Sequence, residues 1–230
     1  TYTDVGILPS DTCYYYLVKA VDISNNYSPV SNMAYKFRQV LNENPGTTDK
    51  NWITIPYNTP YSMASDFISE IGVDVCQFLT KRDPVTQMYK SCYWDEGWVD
   101  DYQIQKGQMY EAVVGADTAA RLVGSHDPNF SVTLNENPGT TDKNWVSVPY
   151  NAVYNLASDI ISEIGISTCQ FLTKRDPVTQ MYKSCYWDEG WVDDYPLVRG
   201  MGYEMVVSKD TVWTPRVYDN ATFEKPKAIS

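Results

Sequence analysis

One stretch of this chain is written twice, letter for letter. Residues 76–102 read CQFLTKRDPVTQMYKSCYWDEGWVDDY, and residues 169–195 repeat them 93 positions later. The match extends upstream more loosely. Over residues 41–102 against 134–195, 51 of 62 positions are identical. Differences such as Ile53 to Val146, Met63 to Leu156 and Phe67 to Ile160 keep apolar residues apolar, as two copies of one core require. A chain built this way is expected to hold two copies of one folding unit, each too small for a large core of its own.

Read with period two, the stretch is a β-hairpin. The arms are CQFLTK at residues 76–81 and QMYKSC at residues 87–92, joined by RDPVT. Pro84 presets φ for a turn, and Asp83 can bond the backbone ahead of it. With the turn centred on Pro84, Leu79 faces Tyr89 and Cys76 faces Cys92. The same register sets Cys169 opposite Cys185. Opposed cysteines on neighbouring strands suit a disulfide, worth about 3 kcal/mol for a loop of this size. Buried free thiols are the alternative, since cysteine packs well as a small apolar group. Zinc is disfavoured because CxxC-type spacing is absent.

Upstream of the hairpin, Ser62 and its equivalent Asn155 suit a helix N-cap. Met63, Phe67, Ile68 and Ile71 then fall on one stripe, and Gly72 or Gly165 ends the helix. Residues 52–57 read as a strand, as do residues 102–114, where Tyr110, Ala112 and Val114 alternate with Glu111 and Val113. The expected fold is therefore mainly β: tandem small antiparallel modules with one short helix each. Residues 119–128 read as the link between copies. They hold the only histidine, His126, most simply a solvated side chain. Phe37, Phe130 and Phe223 recur at the 93-residue period.

The first 38 residues have a different pattern. LPSDTCY at residues 8–14 resembles the turn before strand F of a fibronectin type III domain, with Tyr14 in the tyrosine-corner position. Tyr14, Tyr16, Val18 and Ala20 alternate as an inward face. Asp22, Asn25, Asn26, Ser28 and Ser31 resemble that family's loop into strand G. The resemblance implies the second half of a β-sandwich, whose open face and edge ask for cover. The run AYKFRQVL at residues 34–41 is expected to continue as one strand into the first repeat. The repeats themselves resemble a bacterial extracellular module often found beside such domains. NWVSVPY at residues 144–150, RDPVTQMYKS at 175–184 and YPLVRGMGYEMVV at 195–207 carry that resemblance. It implies a secreted, modular setting and no catalytic residues. The first copy departs from it where Gln103 stands for Pro196 and Gln108 and Met109 for Met201 and Gly202. The organisation is thus a partial fibronectin-like segment (1–38), two modules (39–124 and 125–215) and a C-terminal arm (216–230).

Composition narrows function. The net charge of −11 argues against nucleic-acid partners, which need a basic footprint. No apolar run is long enough to span a bilayer. Nineteen Tyr and seven Trp favour strands and contact surfaces. With the expected disulfides, an extracellular or cell-surface location follows. A single histidine excludes most triads and no phosphate loop occurs, so the chain reads as no enzyme. One loop offers ligand chemistry: Trp94, Asp95, Glu96, Trp98, Asp100 and Asp101, repeated as Trp187, Asp188, Glu189, Trp191, Asp193 and Asp194. Its carboxylates suit Ca²⁺, the one cofactor considered, and its tryptophans suit sugar rings. Self-association is the other expectation. The contacts would be Tyr14, Tyr16 and Val18 of one subunit and Phe223 in the arm of the next. Strands exchanged this way build a surface layer, fibre or filament.

Overall fold

The computed structural model describes residues 14–29, 31, 34–43, 50–125, 127, 129–136 and 143–217, with backbone only for Tyr14 and Tyr15. The fold is mainly β, with two short helices and antiparallel pairing throughout. The first module contains β2 (Ala34–Leu41), β3 (Lys50–Thr54), α1 (Ala64–Ile71), β4 (Cys76–Arg82), β5 (Tyr89–Trp94), β6 (Trp98–Val99), β7 (Met109–Val114) and β8 (Thr118–Ser125). The second repeats it as β9 (Val132–Leu134), β10 (Lys143–Ser147), α2 (Ala157–Ile164), β11 (Cys169–Arg175), β12 (Tyr182–Trp187), β13 (Trp191–Val192), β14 (Gly202–Val207) and β15 (Thr211–Trp213). Strand order is the same in both copies, β3-β7-β4-β5-β6 and β10-β14-β11-β12-β13. In each copy the first strand pairs with the last, β2 with β8 and β9 with β15, as a separate ribbon.

The helix lies against one face of the five-stranded sheet, and the ribbon closes the remaining side of the core. In module 1, Phe67 and Ile68 from α1 meet Leu79, Tyr110, Ala112 and Val114 from the sheet and Leu41, Ala120 and Leu122 from the ribbon. Each fully buried Leu, Ile, Val or Phe among them contributes about 1.5–3 kcal/mol. The helix starts one residue later than expected, after Met63 rather than Ser62. The Asp66 carboxylate accepts from the backbone N–H of both Ser62 and Met63. That leaves no need for the Ser62 hydroxyl, and Asp159 does the same in module 2. Gly72 ends α1 at φ 111°, a conformation open mainly to glycine.

Three expectations are corrected. The hairpin register differs by three residues: Leu79 faces Cys92 and Arg82 faces Tyr89. Asp83 does bond ahead, accepting from Val85 and Thr86, but the loop extends to Met88 and Arg82 belongs to the strand. Cys76 therefore lies opposite Val114 of β7, and Cys76, Cys92, Cys169 and Cys185 are all buried free thiols. Residues 119–128 are mostly not a linker, since β8 runs to Ser125 along the whole of β2. Lastly, the expected inward alternation from Tyr14 to Ala20 fails at the described side chains, where Val18 and Ala20 are exposed. Strand β1 (Tyr14–Tyr16) pairs with β2 and then stops. The Ser31 and Ser28 hydroxyls take the N–H groups of Val18 and Ala20, so side chains interrupt the ladder.

Strand β2 is continuous over residues 34–41 as expected, so the 38/39 boundary falls inside it. Cys13, His126, Phe223 and most of the C-terminal arm lie outside the described residues. The arm's first residues belong to module 2, where Val217 bridges Ala152 and Arg216 is ion-paired with Glu163.

Candidate functional site

The loop singled out for ligand chemistry joins β5 to β6. Trp94 pairs with Trp98 across the turn, and their rings meet edge to face at 5.2 Å. Trp187 and Trp191 do the same in module 2. Trp94 and Trp187 are 50% and 45% exposed, whereas Trp98 and Trp191 rest on their module cores. Asp95, Glu96 and Asp100 point to solvent, with Glu96 and Asp100 at positive φ. Asp101 turns inward. It accepts from the Ser65 N–H and hydroxyl at the start of α1 and from the Tyr102 N–H. Burial works to raise its pKa, and these hydrogen bonds more than offset that, leaving it below the usual carboxylate value. Asp194 repeats the arrangement with Ser158, beside the outward Asp188, Glu189 and Asp193. One carboxylate of the four is thus committed to anchoring the helix. Among the described residues no group of three or more His, Cys, Asp or Glu is placed to hold a metal ion.

The second feature is one that sequence reasoning missed. The sheet face away from the helix carries Trp52, Thr54, Glu111, Met109, Thr80 and Arg82, all buried. It packs against the equivalent face of module 2. Every principal contact occurs twice with the modules exchanged. Arg82 meets Glu204 at 3.7 Å and Arg175 meets Glu111 at 3.8 Å. Each carboxylate also takes its own module's lysine at 2.6 Å and its own tryptophan indole N–H, Lys50 and Trp52 for Glu111, Lys143 and Trp145 for Glu204. Between the arginines runs a palindromic stack: Arg82, Tyr89, Trp145, Trp52, Tyr182, Arg175, with successive separations of 5.1, 5.5, 6.1, 5.6 and 5.2 Å.

The same exchange covers the open strand edges. The Gln87 side-chain amide bonds both the C=O and the N–H of Lys143 on β10. Gln180 does so for Lys50 on β3. Gln87 and Gln180 hold φ near 60°, an unusual conformation for a non-glycine residue that these contacts retain. Further along, the Thr54 N–H donates to Gly200 C=O and the Ser147 N–H to Gly107 C=O. Tyr57 and Tyr150 donate their hydroxyls to Ser147 C=O and Thr54 C=O. Phe37 packs on Tyr150 at 3.8 Å, and Phe130 on Tyr57 at 5.2 Å. A contact set in which i meets j and j meets i defines an isologous interface. The two repeats form a pseudo-twofold dimer within one chain.

Part of the verbatim repeat acquires a physical reason here. Arg82, Gln87 and Tyr89 lie in it, and each serves the seam from both sides. The cysteines do not take part. Burial, with a lesser push from the neighbouring thiol, raises Cys76 to about 12, and burial together with Asp101 does the same for Cys92. The native protein is accordingly expected to leave all four thiols unreacted with a thiol reagent at pH 8. After denaturation without reductant all four should titrate. Two pairs that stay silent after denaturation would restore the disulfides.

No helix among the described residues is long and apolar enough to cross a membrane. Comparison with protein-family models, with curated proteins and with solved structures returned no match.

Proposed function

We propose that the chain is a non-enzymatic, secreted structural protein. It assembles into a cell-surface layer, fibre or filament by strand exchange between subunits. One observation carries this reading. The hairpin that runs from β1 to β2 is an incomplete layer, and Leu17, Val18, Val21, Ile23 and Tyr27 along it are exposed, Val18 at 66%. Among the described residues, strand β1 is one edge of the sheet β1-β2-β8. An apolar edge of this kind is a template for another strand. Asp22, which accepts from Ser24 and Asn26, holds the hairpin tip in shape. Because the repeat-to-repeat face is closed within the chain, this apolar edge is the one we assign to growth between subunits. The donor is the C-terminal arm of the next subunit. Head-to-tail donation is heterologous and extends into a filament when its rotation does not close.

The test is truncation after Val217, which keeps the residues folded onto module 2 and removes the rest of the arm. The truncated chain is expected to be folded and monomeric by light scattering, where the full chain assembles. Assembly unchanged by truncation sinks the donated-arm reading.

A second reading is supported by the half-exposed Trp94 and Trp187: a bivalent carbohydrate-binding adhesion module, with Ca²⁺ at the adjoining carboxylates. Binding on a glycan array that is lost in Trp94→Ala/Trp187→Ala, or a calcium-dependent rise in melting temperature, would favour it over the first.

A further inference from the structure

At the pseudo-twofold axis the symmetry stops. Met109 begins β7, and its equivalent at the start of β14 is Gly202. Met109 is fully buried between Trp52 and Trp145, and these three form a small apolar cluster of their own at the seam. Its side chain lies directly on Gly202. A Cβ built at Gly202 would stand 2.0 Å from Met109 Cγ, 2.5 Å from its Sδ and 2.8 Å from its Cβ. Real Cβ contacts are never this close, and the obstructing atoms include the root of the side chain, which cannot swing away. Gly202 has no positive φ, so nothing in its backbone asks for glycine. The three atoms nearest to such a Cβ all belong to Met109.

The residues beside this pair have diverged with it. Gln108 stands where module 2 has Met201, and its amide N–H donates to Arg82 C=O inside the seam at 2.7 Å. Thr54 donates its hydroxyl to Met201 C=O, whereas its equivalent, Ser147, has a buried hydroxyl without a partner. Residues 108–109 against 201–202 are the place where the two copies differ most sharply in chemistry near the axis. Around it, the arginines, glutamates, tyrosines and glutamines keep the twofold.

We propose that Met109 and Gly202 make the seam heterotypic, so that the face of module 1 accepts only the face of module 2. A pair of first modules would bring two methionines to one space. A pair of second modules would bring two glycines and leave a void beside the two facing tryptophans. The partner that fits each face is therefore the other repeat. This restricts which repeats associate when many chains are crowded together, because 1–1 and 2–2 pairing between chains is disfavoured while the internal pair is filled.

The test is a cycle of substitutions in the full chain, read by thermal melting. Met109→Gly empties the axis and Gly202→Met doubles it. Each is expected to lower the melting temperature by about 5–10 °C. The exchanged chain, Met109→Gly/Gly202→Met, carries one methionine at the axis again, entering from the other side. It is expected to regain more than half of the summed loss. Losses that add in the exchanged chain would show that the two positions act independently, and would overturn the proposal. Should Gly202→Met fail to fold, Gly202→Ala with and without Met109→Gly makes the same comparison. A Gly202→Ala chain that melts like the parent would also overturn it.

Discussion

Replacing Glu111 with alanine is expected to destabilise the protein by about 3–5 kcal/mol, and replacing Glu204 by nearly the same amount. Each carboxylate is almost fully buried, at 4% and 5% exposure. Each is held by a lysine and an indole N–H from its own module and faces an arginine from the other. Removing the carboxylate takes away the charge that faces the buried Arg175 guanidinium and the acceptor of the Trp52 indole N–H. Those two debts, rather than the strength of the lost attraction, set the magnitude. Glu111→Gln should cost less, because the amide oxygen still accepts from Trp52. Denaturant unfolding of the three variants checks both the size and the order. A loss under about 1 kcal/mol for Glu111→Ala would be that of a solvated surface pair and would mean the seam is open in solution.

Much of each module was legible because its signals are local. The alternation of Tyr110, Ala112 and Val114 marks a strand facing a core, and all three are buried. The stripe of Phe67 and Ile68 with Gly72 behind it marks a helix and its end. The continuous strand across residues 34–41 followed from the absence of any breaker. What was not legible depends on partners distant in sequence. Glu111 alternates with the core residues and so reads as solvent-facing. It is buried because a second sheet covers that face, and period two carries no information about that. The hairpin register failed for a smaller reason. Pro84 suggests the centre of a five-residue turn, but Gln87 adopts positive φ, the loop runs to Met88 and Arg82 stays in the strand. Together these changes move Cys92 from Cys76 to Leu79. The seam had one signal available. Among the seam residues, Gln108 and Met109 stand against Met201 and Gly202 while Arg82, Gln87, Tyr89 and Glu111 are repeated unchanged, and that local break marks the axis.

Leu79→Ala and Leu172→Ala are expected to show whether the modules unfold as one. Both leucines are fully buried at the centre of their sheets, facing Cys92 and Cys185 on one neighbouring strand. Truncation should cost about 2–5 kcal/mol in either copy. The two costs should nevertheless differ. On the other neighbouring strand Leu79 faces Ala112, whereas Leu172 faces Met205. Methionine is unbranched and can fold into a neighbouring gap, and alanine cannot. Leu172→Ala is therefore the milder change. The seam decides the shape of the transition. Its tryptophans, glutamates and arginines are buried like a domain interior, and opening it exposes Glu111 and Arg175 along with Trp52. A module that unfolds alone strips its partner of that cover. Either variant should then melt in one step, shifted down, with fluorescence and circular dichroism coincident. Two resolved transitions, with the substituted module melting first, would show that the modules are stable apart and that the seam is a contact between finished domains.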